Sequence, residues 1–85
     1  MAKYVLLRYA AYDLKDFSDF LKENNGLKVA HDFEETMFSL FDLLAEFPGI
    51  GRHRVDLKEG LYSFADKKYK RFIYYRITPL GITIS

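Results

Sequence analysis

The side chains here that could do chemistry are two histidines, a scatter of carboxylates, and a run of cations interleaved with aromatics. His31 falls in a helical pattern and His53 in a glycine-bearing loop, and neither has a carboxylate at a metal-ligand spacing such as H-E-x-x-H. Both are expected to be surface or structural histidines, with no metal and no cofactor. Glu34–Glu35 and Asp13–Asp16 lie on the polar faces of predicted helices, where solvation is the expected role. The segment FPGIGRHRVDL, Phe47–Leu57, contains Gly49 and Gly51. A phosphate cradle leads its glycines into a helix N-terminus, whereas these follow a helix end. Arg52 and Arg54 are expected to sit near the carbonyl-rich end of that helix, where cations are favoured, and to border a binding surface.

The run YKRFIYYRI, Tyr69–Ile77, carries the most information. As a strand it places Tyr69, Arg71, Ile73, Tyr75 and Ile77 on one face and Lys70, Phe72, Tyr74 and Arg76 on the other. The branched aliphatics mark the first set as the core face. The second set, two aromatics flanked by two cations, is then exposed and forms the expected partner-binding surface together with Arg52 and Arg54. Lys67, Lys68 and the other cations of the second half are equally compatible with a solvated strand edge.

These residues need elements to position them. KYVLLRY (Lys3–Tyr9) reads as a first strand. Leu14, Phe17 and Leu21, with Phe20 beside them, give a helix from Ala10 to about Asn24, ended by Asn24–Gly26. Ala30, Phe33, Met37, Leu40, Leu44 and Phe47, widened by Phe41, give a second helix from about Leu27 to Phe47. Pro48 stops it because proline disfavours helical geometry in the residue before it and lacks an N–H. LYSFA (Leu61–Ala65), Tyr69–Ile77 and ITIS follow as strands, with a polar turn after Ala65 and a Pro79 turn at Thr78–Gly81. The predicted fold is α+β in the order β-α-α-β-β-β, a helix hairpin on one face of a small, mostly antiparallel sheet.

Eighty-five residues allow one domain, spanning 1–85. Hydrophobic residues make up 49% and aromatics 18%, so the chain has apolar material for a core and a surplus of rings for a partner. A net charge of +1 does not support nucleic-acid binding by the chain alone. Without cysteine, disulfides and thiolate metal sites are excluded. No apolar run reaches the roughly 20 residues of a membrane span. Arg8 and Tyr9 spoil MAKYVLLRYA as a leader. The expected compartment is the cytoplasm.

LLAEFPGIGRHRVDLKEGLYSF (Leu43–Phe64), followed by YKRFIYYRI, resembles the ParE branch of the RelE/ParE toxin superfamily. KYVLLRYAAYDLKDF (Lys3–Phe17) is similar to that family's first strand and first helix. The resemblance implies the toxin of a bacterial type II toxin–antitoxin system. Its implied partners are a ParD-like antitoxin, which forms a hetero-oligomer with it, and DNA gyrase as target through protein–protein contact without catalysis. The RelE branch implies the alternative, a ribosome-dependent mRNA endonuclease. In that branch lysines occupy the strand matching Leu61–Ala65 and an arginine the next strand, positions held here by Ser63, Ala65 and Phe72. Phe and Ala can be neither a general base nor a phosphate-stabilising cation. A nuclease here would have to use Arg71, Tyr74 and Arg76 instead. Chains of the ParE branch usually continue the last strand past the position of Ser85, and a target contact in that tail would be missing here. An antitoxin, partly disordered before binding, is expected to wrap the hairpin and the open sheet face.

Overall fold

The computed structural model describes residues 3–85; Met1 and Ala2, part of the stretch weighed as a leader, lie outside them. In chain order the elements are β1 (Lys3–Leu6), α1 (Arg8–Asn25), α2 (Leu27–Glu46), β2 (Arg52–His53), β3 (Tyr62–Asp66), β4 (Arg71–Thr78) and β5 (Gly81–Ile84). The strands form one sheet in the order β1-β5-β4-β3-β2. Among the described residues only β1 and β5 pair in parallel; the other neighbours are antiparallel, as the sequence led us to expect.

The hairpin follows from local chemistry. Gly26 joins the helices at φ +97°, a backbone region that residues with a Cβ rarely enter, and its N–H closes α1 on the Lys22 carbonyl at 3.2 Å. Within the hairpin, the Ser18 hydroxyl donates to Glu34 Oε2 at 2.7 Å, which satisfies a buried polar group between the helices. α2 supplies most of the core, burying Ala30, Phe33, Met37, Phe41 and Leu44 against Ile73, Tyr75, Ile82 and Ile84 of the sheet. Phe33, Leu44, Ile82 and Tyr75 are almost fully enclosed, and burying a side chain of that kind contributes about 1.5–3 kcal/mol.

Several boundaries differ from those expected. β1 stops at Leu6, because the Leu7 N–H still bonds Ile84 O at 2.9 Å while the Leu7 carbonyl already accepts the Ala11 N–H at 3.0 Å. The chain therefore turns helical at once, in a run whose two alanines favour it. β4 begins at Arg71, not Tyr69. The Asp66 carboxylate accepts the Tyr69 N–H at 2.9 Å, and Lys70 takes φ +55°, so these residues form the turn and not the ladder. Phe47 does not close the α2 stripe: it is the first non-helical residue and 55% exposed. Ile77 lies on the core side of β4 by alternation yet is 46% exposed. It stands one rung beyond Tyr75, whose hydroxyl already meets the turn that ends α2, so the helix layer stops short of it.

Candidate functional site

The sheet has one face under the helices and one without them. Register identifies the second face: Arg52 is opposite Ser63, Ser63 opposite Tyr74, Ala65 opposite Phe72 and Arg76 opposite Thr83. Cross-strand partners point to the same side. Arg52, Phe72, Tyr74 and Arg76 therefore share the open face, as the alternation predicted. Phe72 is 60% exposed and stacks on Tyr74 with ring centroids 6.1 Å apart. Lys70 reaches the same corner from the turn, where Ala65, Lys70 and Phe72 line a shallow depression.

Two of the cations on this face are already engaged. Arg54 grips Asp56 through both Nε (3.1 Å) and Nη2 (3.0 Å), and its Nη1 lies 3.4 Å from Ser63 Oγ. This fork holds the Arg54 guanidinium above and the Asp56 carboxyl below their ordinary pKa values, the mutual hydrogen bonds being the leading cause. The Arg54 side chain is only 18% exposed. Arg76 Nη1 donates to the Glu59 carbonyl at 3.0 Å. The loop of residues 54–61 thus folds back on the open face, and Arg52 and Lys70 are its more exposed cations. Arg54 does not cap α2: no basic residue lies in the last turn, and Arg52–His53 pair with β3 as a short edge strand.

That loop is anchored through β4. The buried Tyr75 hydroxyl donates to Pro48 O at 2.7 Å and accepts the Gly51 N–H at 3.0 Å. Burial pushes the Tyr75 phenol above its usual pKa. A Cβ at Gly51 would fall 2.9 Å from the Tyr75 ring and closer still to its hydroxyl, which explains a glycine where φ is an ordinary −75°. The Tyr75 ring continues a stack through Tyr62 (5.5 Å) to His53 (4.7 Å), whose Nε2 accepts the Gly60 N–H at 3.3 Å. His53 is a structural histidine. His31 is exposed and lies 3.0 Å from Glu35 one helical turn on.

The alternative nuclease trio is not brought together. Arg71 points to the helix side of β4, with its guanidinium 4.4 Å over the Phe17 ring, while Tyr74 and Arg76 lie on the open side. At the far corner, Asp32 of α2 accepts from Lys68 Nζ at 2.7 Å and from the Tyr69 hydroxyl, tying the hairpin to the β3–β4 turn. Those two bonds, Lys68 first, hold the Asp32 carboxyl below its usual range. Sequence reasoning missed the Tyr75–Gly51 contact and the Arg54–Asp56 fork. The i, i+2 spacing of Arg54 and Asp56 and the P-x-x-G run were the available signals.

Charge is segregated between the layers. Residues 8–46 hold four Lys/Arg against nine Asp/Glu, a net −5, and residues 47–85 hold eight against three, a net +5. A small α+β domain of this topology, with an acidic helix hairpin and a basic, aromatic open sheet face, has the form of a protein-binding module. Residues 4–84 match the family described as the ParE toxin of the type II toxin–antitoxin system parDE. The chain belongs to this family. Among curated proteins it is similar to Toxin ParE3 of Caulobacter vibrioides, at 33% identity over 84 residues, which is 99% of this chain and 82% of the relative.

Proposed function

We propose that this toxin acts by binding DNA gyrase through protein–protein contact, without catalysis, in the cytoplasm, and that a cognate ParD-like antitoxin neutralises it in a hetero-oligomer. The observation that carries the non-enzymatic reading is the composition of the open face. Ser63, Ala65 and Phe72 occupy the positions where nucleases of the superfamily are expected to place cations, and Arg71 is turned to the opposite side of β4 from Tyr74 and Arg76. Asp56, beside this face, has its carboxyl held below its ordinary range by the Arg54 fork. A face of this kind offers rings and a few free cations to another protein, and offers substrate phosphate no arranged acid–base pair. Membership of the ParE family supports the antitoxin as partner.

A purified-gyrase assay tests the target. The expected result is loss of supercoiling with accumulation of cleaved DNA; untouched supercoiling and intact DNA would refute gyrase as the target. Cells expressing the toxin should show no codon-specific mRNA cuts by primer extension, and such cuts, abolished by Tyr74→Phe, would favour the nuclease.

A further inference from the structure

The solvent side of α1 is more than a solvated face. The helix meets the core through Ala10, Leu14, Phe17 and Leu21. At about 100° per residue, the side turned to solvent then carries Tyr9, Tyr12, Asp13, Asp16, Phe20 and Glu23. All six are exposed, Tyr9 at 82%, Tyr12 at 57% and Phe20 at 56%. Three rings in water on one helix are costly for a small domain that needs such area in its core. Among the described residues Asp13, Asp16 and Glu23 enter no ion pair, whereas Asp19 is held by Lys15 at 2.9 Å.

The open sheet face carries the counterpart. Arg52 and Lys70 are its exposed cations, and the rings of Tyr74 and Phe72 lie between them. Arg52 is opposite Ser63 and Ser63 opposite Tyr74, which sets Arg52 two strand spacings from Tyr74. Lys70 stands four residues from Tyr74 along the chain. At the backbone the two cations are thus roughly 16 Å apart. On α1, Asp13 and Glu23 are ten residues apart, about 15 Å along the axis, with Asp16 and Phe20 between them. Spacing and sign both match: carboxylates that bracket a ring can meet cations that bracket rings. The layers repeat the match on a larger scale, at net −5 for residues 8–46 and +5 for residues 47–85. A foreign partner would have to be basic for one layer and acidic for the other; a second copy of this chain supplies both.

We infer that the α1 strip of one copy docks on the open sheet face of the next, so that the free toxin self-associates head to tail. The inference needs neither the gyrase nor the antitoxin reading, although an antitoxin seated on the open face would block it. The strip and the face lie on opposite layers of the fold, so every docked copy leaves one of each vacant. A heterologous contact of this kind propagates and does not close at two copies. Its charges are exposed, so salt screens it: the Debye length falls from about 14 Å at 0.05 M to about 4 Å at 0.5 M.

Sedimentation velocity of the free chain tests this at concentrations up to about 1 mM, where even weak contacts are populated. At low salt the mean mass rises with concentration and shows no plateau at two copies. At high salt the affinity falls at least about tenfold. A chain that stays single at low salt, stops at two copies, or associates regardless of salt overturns the inference. Two variants locate the contact. Asp16→Lys spoils the strip and leaves the sheet face, and Arg52→Glu does the reverse. Each alone weakens association at least about tenfold, and mixing the two restores it, because each brings the surface that the other lacks. Variants that stay apart when mixed, or either one associating like the unaltered chain, overturn the inference. Both residues are exposed, so both variants keep the fold. Should one unfold, the salt and concentration series on the unaltered chain decides alone.

Discussion

Removing a single oxygen tests how the 48–61 loop is held over the sheet. Tyr75→Phe keeps the ring, its stack on Tyr62 and its burial, and deletes only the hydroxyl that bonds Pro48 O at 2.7 Å and the Gly51 N–H at 3.0 Å. An unmade hydrogen bond to a buried group costs about 1–3 kcal/mol. Pro48 and Gly51 are half-buried, so water reaches part of what is lost and the expected cost is about 1.5 kcal/mol in total. For a domain of this size that lowers Tm by roughly 6–12 °C. Far-UV circular dichroism gives the melt, and a urea titration with unchanged slope shows that the folded state is otherwise intact. Gly51→Ala attacks the same contact sterically and is expected to cost more, since its Cβ overlaps the hydroxyl. The double variant is the sharper test. Once the hydroxyl is gone, the added methyl meets less, so the pair together destabilises less than the sum of the singles. A Tyr75→Phe loss below about 2 °C, or simple additivity with Gly51→Ala, would refute the latch.

Two further outcomes follow from the geometry. Asp32 has a carboxyl pKa depressed in the fold by Lys68 and Tyr69, so it contributes stability above its unfolded pKa and loses that contribution as pH falls through the folded value. Lys68→Ala should therefore flatten the acid side of a Tm-against-pH curve below about pH 4, and an unchanged curve would show that the pair is not formed in solution. Phe72→Asp places a carboxylate on the open face at a residue 60% exposed, so folding is retained and antitoxin affinity falls at least about tenfold; equal affinity by calorimetry would put the antitoxin elsewhere.

The engaged cations change the meaning of the open face. Counted from the sequence, Arg52, Arg54, Lys70 and Arg76 are equivalent charges. In the fold, Arg54 is neutralised by Asp56 and Arg76 is bonded to the Glu59 carbonyl. Carboxylates of the proposed partner would therefore meet Arg52 and Lys70 first, with the loop of residues 54–61 forming part of the surface. The helix layer, at net −5, presents the opposite sign, which favours one orientation of an approaching charged partner over the reverse.

The elements were legible because each rests on terms a short window contains. The 3.6-residue spacing of Ala30, Phe33, Met37 and Leu44 makes α2, Pro48 ends it, Gly26 separates the helices, and alternation in Phe72–Arg76 sorts an aromatic, cationic face from an aliphatic one. The family resemblance rests on the same local runs. The features that position the surface are pairings of residues far apart in the chain. Gly51 must be glycine because a ring 24 residues later lies against it. Arg71 lies over the ring of Phe17, 54 residues earlier in the chain. Lys70 reaches the surface from a turn because Asp66, four residues earlier, closes that turn on Tyr69. Composition and period choose the elements through backbone preference and one-sided burial; which charges stay free depends on register and packing, which no window of neighbouring residues contains.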